Sequence, residues 1–348
     1  MFIRNTTLIA LLGLLILQSC SKKELPTPPL PPPVVYHHDG EVSKMLFNRP
    51  DGVNIVFIGD AFTKEDLKEN GRYDALVKET TDFLFSVEPF KQYKNYFNIY
   101  QVYAESQVSG AADTYTPQRT KFDAYFGTVN DRYLLPGNYD LCYEYAAKAV
   151  PTNQIALLVM LVNDERYAGT GGSIATISSN KLARFTLVHE AGHSFAGLAD
   201  EYVEEAIADN YPMNVLPYLP NVDITSDPTK IKWAKLLEYK NYRPQLGAFE
   251  GGYYRGHGIY RPEETSIMRD FSVMSFNAPS REAIVRMIYA RMNIPFDLEL
   301  FVKDDVKNIK PIPATATLQI PPLRHDFIEM KENALKLHQL RQQSISIK

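Results

Sequence analysis

The stretch LVHEAGHSF at residues 187–195 has the pattern H-E-x-x-H, with His189 and His193 four positions apart and Glu190 between them. On an α-helix with about 3.6 residues per turn, the two histidines project from one face, one turn apart. That spacing suits two imidazole ligands of a single zinc ion. Glu190 is rotated by about 100° from His189, so its carboxylate can lie beside the metal and hold a water molecule. The stretch therefore predicts a metal-binding helix with Glu190 as the catalytic base.

The residues just after this helix supply candidates for a third ligand. A catalytic zinc ion usually has three protein ligands and one open position. Gly197 stands where a glycine commonly ends a helix and turns the chain. Asp200 and Glu201 follow, and a carboxylate close after such a turn can fold back to the metal. We predict Asp200 as the third ligand and Glu201 as its alternative, while a distant glutamate, as in thermolysin-like enzymes, stays open.

Patterns of strands and helices alternate on both sides of this segment. Short apolar or alternating runs predict strands at residues 53–58, 97–103, 155–162 and 173–178. Helical spacing of apolar residues predicts helices at about 73–85, 139–147, 180–196 and 327–342. The alternation favours an α/β layered body over a sandwich or a helical bundle.

The composition is that of an ordinary soluble globular protein. The 348 residues are 45% hydrophobic and 22% charged, with a formal net charge of -4. These values exclude a mainly disordered chain, and they lack the basic footprint of a nucleic-acid-binding protein. Only Cys20 and Cys142 are present, so a disulfide framework is not expected. Cys142 is interpreted as a small buried side chain.

The N-terminus has the pattern of an exported lipoprotein. After Arg4, residues 8–17 form an uncharged apolar run that is too short to span a bilayer and typical of a signal peptide. It ends in LQSC at residues 17–20, which resembles a bacterial lipobox, so we predict cleavage before Cys20 and lipid attachment to its sulfur. An ordinary secretory signal is the alternative. We expect the protein to be anchored at the outer membrane or cell surface of a Gram-negative bacterium.

A proline-rich stretch follows the predicted anchor. Residues 26–33 contain six prolines, which fix extended polyproline II backbone and predict a stiff spacer. The predicted organisation is a signal peptide at 1–19, a lipidated Cys20 with its tether at 20–45, a catalytic domain at 46–300, and a C-terminal tail of unassigned role at 301–348.

Several segments of the chain resemble the gut-bacterial IgA peptidases, a metzincin-like family of zinc metallopeptidases. The likeness is carried by HEAGHSFAGLADEY (189–202), NIVFIGDAFT (54–63), YFNIYQVYAESQVSGAAD (96–113), YAGTGGSIATIS (167–178), FEGGYYRGHGIYRP (249–262) and SIMRDF (266–271). Where the family carries cysteines near the methionine and beyond, this chain has Ser266, Ser272 and Ser275. We also expect no separate N-terminal β domain.

The resemblance implies an α+β zincin: a twisted mixed sheet with an edge strand over the cleft, and a Met-turn with Met268 beneath the zinc histidines. The usual metzincin spacing puts the third ligand at Ala199, one residue before Asp200. The strand before the active-site helix commonly binds the substrate backbone in zincins, so it supplies candidates for substrate contact. The candidate cleft residues are Ser173, Ile174, Ala175 and Thr176, together with Tyr253, Tyr254, His257 and Tyr260.

The sequence therefore predicts a zinc-dependent endopeptidase with one catalytic Zn²⁺, acting on extracellular proteins of an IgA-like or mucin type. Its expected partners are a protein or peptide substrate and, through the lipid, a membrane; nucleic acid is not expected. Two alternatives stay open: a surface lipoprotein that binds a host protein or glycan without hydrolysis, and a zinc amidase acting on non-peptide amides. The intact Glu190 argues against a pure binding protein, because binding alone needs no general base.

Overall fold

The computed structural model describes residues 33–127, 132–271, 273–307 and 327–343. The chain divides into two units, Met1–Val34 and Val35–Lys348. Of the first unit only residues 33 and 34 are described, and both are exposed. The predicted signal peptide, Cys20 and most of the proline-rich stretch lie outside the described residues, as do Ser272 and much of the C-terminal tail.

A six-stranded mixed sheet forms the centre of the second unit. The strands described in the chain are β1 (Val42–Phe47), β2 (Val53–Asp60), β3 (Phe97–Val102), β4 (Tyr125–Phe126), β5 (Leu134–Leu135), β6 (Ile155–Val162), β7 (Gly169–Thr170), β8 (Ala175–Ser178), β9 (Phe249–Gly252) and β10 (Arg255–Arg261). The large sheet has the order β1-β3-β2-β6-β8-β7, and β9 with β10 and β4 with β5 form two small sheets. In the large sheet, β1 and β7 run antiparallel to their neighbours, and the inner strands are parallel.

Helices cover both faces of this sheet. The α-helices described are α1 (Arg72–Leu84), α2 (Tyr139–Ala146), α3 (Ala183–Ala196), α4 (Ala278–Arg291), α5 (Leu298–Asp304) and α6 (Phe327–Gln343). Short 3₁₀ helices occupy Lys64–Leu67, Lys94–Tyr96, Thr152–Gln154, Glu205–Asn210, Met213–Tyr218 and Leu236–Glu238.

The alternation of side chains along β2 divides the core between the two faces. Ile55 and Phe57 belong to the cluster that includes apolar side chains of α1, α3 and α4. Val56 and Ile58 belong to the cluster on the other face, which includes α2. Because both faces are covered, β2 and β6 read as nearly continuous apolar runs, as expected of central parallel strands. The α/β prediction is confirmed in this mixed sheet with flanking helices.

Most predicted elements are present close to their expected limits. The strand predicted at 155–162 is β6, the helix at 139–147 is α2, and the helix at 327–342 is α6. Cys142 is fully buried, and burial raises the pKa of its thiol, so it is the inert small side chain that was expected.

The prediction that residues 173–178 form an edge strand is wrong. Its regular part is β8, which lies between β6 and β7: Thr176 pairs with Met160 on one side and with Thr170 on the other. Strand addition needs a free backbone edge, whereas β8 has a neighbouring strand on both sides and β7 is the outer strand on this side of the described sheet. A two-residue Gly-Thr strand carries no apolar alternation, so its sequence gave no signal.

The folded body also begins earlier than the predicted boundary at residue 46. β1 starts at Val42 and pairs with β3, and Tyr36 forms an isolated bridge with Lys68. Residues assigned to the tether therefore belong to the sheet. β1 is an outer strand with half-buried and exposed positions, so its apolar pattern is weak.

The C-terminal helix α6 packs against α3 and α4. Its described buried side chains are Ala334, Leu337 and Arg341, which share one helical face. Part of the tail thus packs on the body in this structure. Within the described residues, no helix combines the length and apolarity needed to cross a membrane.

The carboxylate of Asp60, at the end of β2, organises residues 120–124. Its Oδ1 accepts hydrogen bonds from the backbone N–H of Ala61 (2.9 Å) and Phe122 (3.1 Å). Its Oδ2 accepts from the hydroxyl of Thr120 (2.7 Å) and the backbone N–H of Ala124 (3.0 Å). Asp60 is fully buried, so this one carboxylate satisfies backbone donors that the sheet leaves without partners.

We predict that Asp60→Asn lowers the free energy of unfolding by about 3 kcal/mol, because an amide NH₂ would face donors in place of an accepting oxygen. Urea unfolding followed by circular dichroism measures the change. The matched control is Asp51→Asn at an exposed carboxylate bonded to Arg49, where we expect no more than about 0.5 kcal/mol. Equal losses for the two variants would contradict the role assigned to Asp60.

Candidate metal centre

His189, His193 and Asp200 form a buried group that can hold a metal ion. The Nε2 atoms of the two histidines lie 3.1 Å apart. Asp200 Oδ1 lies 3.1 Å from Nε2 of His189 and 3.3 Å from Nε2 of His193. None of the three residues is more than 4% exposed.

These distances fit one tetrahedrally coordinated ion. Ligand atoms at about 2.0–2.1 Å from a tetrahedral zinc ion lie about 3.3 Å from one another. Two imidazole nitrogens and one carboxylate oxygen also make a donor set that zinc accepts. The residues present therefore fit the ion that the sequence predicts.

Backbone carbonyls fix the tautomers of both histidines. Nδ1 of His189 lies 3.1 Å from the carbonyl oxygen of Ile267, and Nδ1 of His193 lies 2.8 Å from that of Leu198. A carbonyl can only accept, so each Nδ1 carries the proton and each Nε2 directs its lone pair into the group. Burial lowers the pKa of His189, which favours the neutral ring that metal binding requires.

A glycine turn brings Asp200 back to the helix. α3 ends at Gly197, which adopts the left-handed conformation with φ of 64°. The N–H of Leu198 donates to Gly192 O (3.0 Å) and that of Gly197 to His193 O (2.9 Å), the bonding pattern of a Schellman motif. This confirms the turn predicted at Gly197.

Of the two predicted carboxylates, only Asp200 lies with the histidines. Glu201 lies among three side-chain donors: Asn221 Nδ2 (2.7 Å), Asn277 Nδ2 (2.6 Å) and Ser266 Oγ (2.7 Å). Burial raises the pKa of Glu201 to about 7, and these hydrogen bonds oppose the rise. Glu201 thus accepts hydrogen bonds in a structural role. Its side chain is engaged outside the group formed by His189, His193 and Asp200.

The residues around Glu201 join the loop that carries Asp200 to the segments around Asn221 and Met268. Asn221 bonds both backbone groups of Ala199, accepting from its N–H (2.7 Å) and donating to its carbonyl (2.9 Å). The backbone N–H of Glu201 donates to the carbonyl of Met268 (2.8 Å). These contacts fix the loop that carries Asp200.

Met268 lies in the turn that orients His189. This turn is closed by bonds from the N–H groups of Arg269 (3.0 Å) and Asp270 (2.9 Å) to Ser266 O. Met268 is fully buried, and its sulfur lies 2.8 Å from where a Cβ on Gly192 would stand. The methionine therefore packs directly against α3 beside His193, and Gly192 leaves the space for it.

Tyr254 supports the other oxygen of the candidate ligand. Its hydroxyl donates to Asp200 Oδ2 at 2.5 Å, and the N–H of Tyr253 donates to Asp200 O at 2.9 Å. Burial, with Asp200 nearby, raises the pKa of Tyr254 well above its ordinary value, so the hydroxyl stays protonated as a donor. The sequence suggested these tyrosines as cleft residues, but it gave no sign of this contact.

The other cleft candidates take different places. The His257 side chain is 91% exposed on the β9–β10 hairpin, and Tyr260 pairs through its backbone with Asp223. Ala175 and Thr176 pair with β6, and Ile174 packs in the core beside α2. Ser173 adjoins the segment that crosses the site.

The segment that crosses the site is the glycine pair Gly171 and Gly172, which follows β7. A Cβ on Gly171 would lie 2.5 Å from Glu190 Oε2 and 2.9 Å from His193 Cβ, so the backbone passes directly over both side chains. The N–H of Gly172 donates to Ser194 Oγ at 3.1 Å. Glu190 is fully buried, and burial raises its pKa to about 8. A carboxyl group with such a pKa can take up and release a proton near neutral pH.

We predict that Gly171→Ala lowers the free energy of unfolding by about 1–3 kcal/mol, because its methyl group would overlap Glu190 and His193. The matched control is Gly252→Ala, a buried strand glycine whose Cβ would have only ordinary contacts at 3.7 Å and beyond. We expect that control to change stability by about 0.5 kcal/mol or less. Thermal and urea unfolding would measure both variants, and an unperturbed Gly171→Ala would show that the backbone does not cross the site this closely.

Comparison with known proteins identifies the family. No curated protein matches the chain. The family model described as IgA Peptidase M64 matches residues 47–244 and 236–288, which is more than half of the chain. The match includes α3, the glycine turn and the Met268 turn, and it confirms the resemblance found in the sequence. The chain belongs to the IgA peptidase M64 family.

Proposed function

We propose that this protein is a zinc-dependent endopeptidase that hydrolyses peptide bonds of extracellular proteins. One observation carries the proposal: His189, His193 and Asp200 converge with ligand spacing, and Glu190 lies on the same helix at their side. The family is one of peptidases, which supports this chemistry over non-hydrolytic binding. IgA-like and mucin-type proteins are the proposed substrates.

Each side chain has a distinct task in the proposed reaction. His189, His193 and Asp200 would hold the zinc ion, which when bound polarises the scissile carbonyl and makes a water molecule more acidic. Glu190 takes the proton from the attacking water and delivers it to the leaving amine. A cation nearby favours the ionised carboxylate, so it offsets the burial that raises the pKa of Glu190.

The residues and the strand next to the candidate ligands fit a metzincin-like arrangement. The carbonyl of Ile267 orients His189, and Met268 packs under α3 as a Met-turn residue would. The antiparallel edge strand β7 leads into the glycine pair above Glu190. In this arrangement a substrate backbone would bind along residues 169–172, one strand earlier than the sequence suggested.

We also propose that the mature protein begins at a lipidated Cys20 and is held at the outer membrane or cell surface. The LQSC pattern and the six prolines behind it support this proposal. The catalytic domain would then extend from about residue 36, since Tyr36 already bridges to the body.

We predict that Glu190→Gln keeps stoichiometric zinc and loses peptide hydrolysis by about 10²–10⁴-fold, because the amide cannot accept the proton from water. Casein, immunoglobulin A and mucin serve as substrates, each with and without a chelator, and zinc is measured by mass spectrometry. The control is Glu250→Gln, a carboxylate of the β9–β10 hairpin about half exposed. Undiminished hydrolysis by Glu190→Gln, or hydrolysis that a chelator leaves intact, would contradict the proposal.

We predict that Asp200→Asn loses zinc, because its neutral amide replaces the anionic oxygen nearest both imidazoles. Glu201→Gln should keep zinc. Its carbonyl oxygen can still accept from Asn221 and Asn277, and its amide can donate to Ser266 Oγ. Zinc content after dialysis against a weak chelator compares the two variants. Zinc retained by Asp200→Asn and lost from Glu201→Gln would make Glu201 the ligand and overturn the assignment of Asp200.

A further inference from the structure

The proposed catalytic centre is closed to a polypeptide in this structure. His189 is 1% exposed, and Glu190 and Asp200 are fully buried. The glycine pair that crosses Glu190 is buried as well. An endopeptidase must admit an extended chain to these groups, so whatever closes the site has to move during the reaction cycle.

The C-terminal helix α6 lies at this position. The side-chain amide of Asn333 donates to the carbonyl oxygen of Gly172 at 3.0 Å. Asn333 and Ala334 line one small pocket together with Gly171, Gly172 and His193. α6 thus contacts the segment over Glu190 and lines a pocket that the candidate ligand His193 also lines.

The hydrogen bond from Asn333 to Gly172 O is of the same kind that a substrate backbone would make. A backbone carbonyl at the end of an edge strand accepts from the main-chain N–H of a peptide added to that edge. The carboxamide of Asn333 presents an N–H of the same kind to the same oxygen. While Asn333 is in place, Gly172 O is already engaged in this bond.

α6 is attached to the body through one face. Its described buried positions Ala334, Leu337 and Arg341 recur at three- and four-residue spacing, whereas Glu332 and Gln339 are exposed. The guanidinium of Arg341 donates to the carbonyl of Ala196, at the end of α3, and to that of Tyr218 (2.8 Å). The hydrogen bonds described for Asn333 and Arg341 run from side-chain donors to backbone carbonyls, and these bonds can break while α3 and the sheet stay intact.

We propose that α6 is an internal inhibitor of the metal centre: docked, it fills the groove beside Gly171 and Gly172, and it must leave before a polypeptide binds. The inference rests on the proposed peptidase function. The docked and undocked arrangements form a two-state equilibrium, so whatever binds α6 or competes for its groove sets the activity.

The test uses the full chain with the double variant Asn333→Ala and Arg341→Met. It removes the donors to Gly172, Ala196 and Tyr218 and retains good helix formers. The matched control is Glu332→Ala with Gln339→Ala, on the exposed face of the same helix. Loss of these bonds should raise the undocked population by about tenfold or more.

Three measurements follow the change. Hydrogen exchange within α6 reports undocking, and kcat/KM on a quenched fluorescent peptide reports access of substrate. The rate of zinc transfer to the dye 4-(2-pyridylazo)resorcinol reports access to the centre without catalysis. We expect all three to rise by about tenfold in the double variant and to stay unchanged in the control.

Faster exchange in α6 with an unchanged or lower kcat/KM and zinc-transfer rate would overturn the proposal, because α6 would then be a fixed wall of the cleft. If the double variant fails to fold, Asn333→Asp is the second variant. Its carboxylate repels Gly172 O, and the position is only half buried. The same three measurements apply to this variant, with the same expected and contradicting outcomes.

Failure of the proposed function has a different signature. Zinc transfer should also accelerate when the α6 substitutions are combined with Glu190→Gln, a background without hydrolysis. If no form of the protein cleaves peptides, the peptidase proposal fails, while the zinc-transfer rate still decides whether α6 closes the centre.

Discussion

The convergence of one buried carboxylate on two imidazoles is the constraint on which the rest of this structure depends. His189 and His193 lie on one face of α3 by helical periodicity alone, but Asp200 reaches them only because the chain reverses at Gly197. The same reversal places the carbonyl of Leu198 against His193 Nδ1. A single left-handed glycine therefore sets both the candidate ligand and the tautomer of its neighbour.

Burying these charged groups requires partners from distant parts of the chain. Tyr254 donates to Asp200, while Asn221, Asn277 and Ser266 donate to Glu201. An unsatisfied buried carboxylate is costly, so each of these donors stabilises the loop that it contacts. The segments around residues 221, 254, 266 and 277 thus meet at the loop that carries Asp200 and Glu201, so the candidate metal centre also organises the second half of the domain.

A dry, enclosed centre and access for a polypeptide make opposite demands. Exclusion of water strengthens electrostatic interactions within the site, whereas the proposed endopeptidase activity requires the site to open to an extended substrate. Asn333 and Ala334 of α6 stand where these demands conflict, because they line one small pocket together with the glycine pair and His193, and Asn333 donates to Gly172 O. A detachable helix would reconcile them, since the closed form protects the centre and the open form admits substrate.

The sequence by itself determined what local periodicity and turn chemistry control. The H-E-x-x-H spacing, the helix that carries it, the glycine that ends it and the buried strands β2 and β6 all follow from patterns within a few residues. Only the tertiary structure decided that β7 is the edge strand, that Glu201 lies among amides, that Tyr254 supports Asp200 and that the C-terminal tail reaches Gly172. The last three depend on contacts between segments far apart in the chain, whereas β7 pairs with the nearby β8 and is too short to show a pattern of its own. A two-residue strand, a carboxylate or a tyrosine carries no mark of its partner, because the partner is chosen by packing.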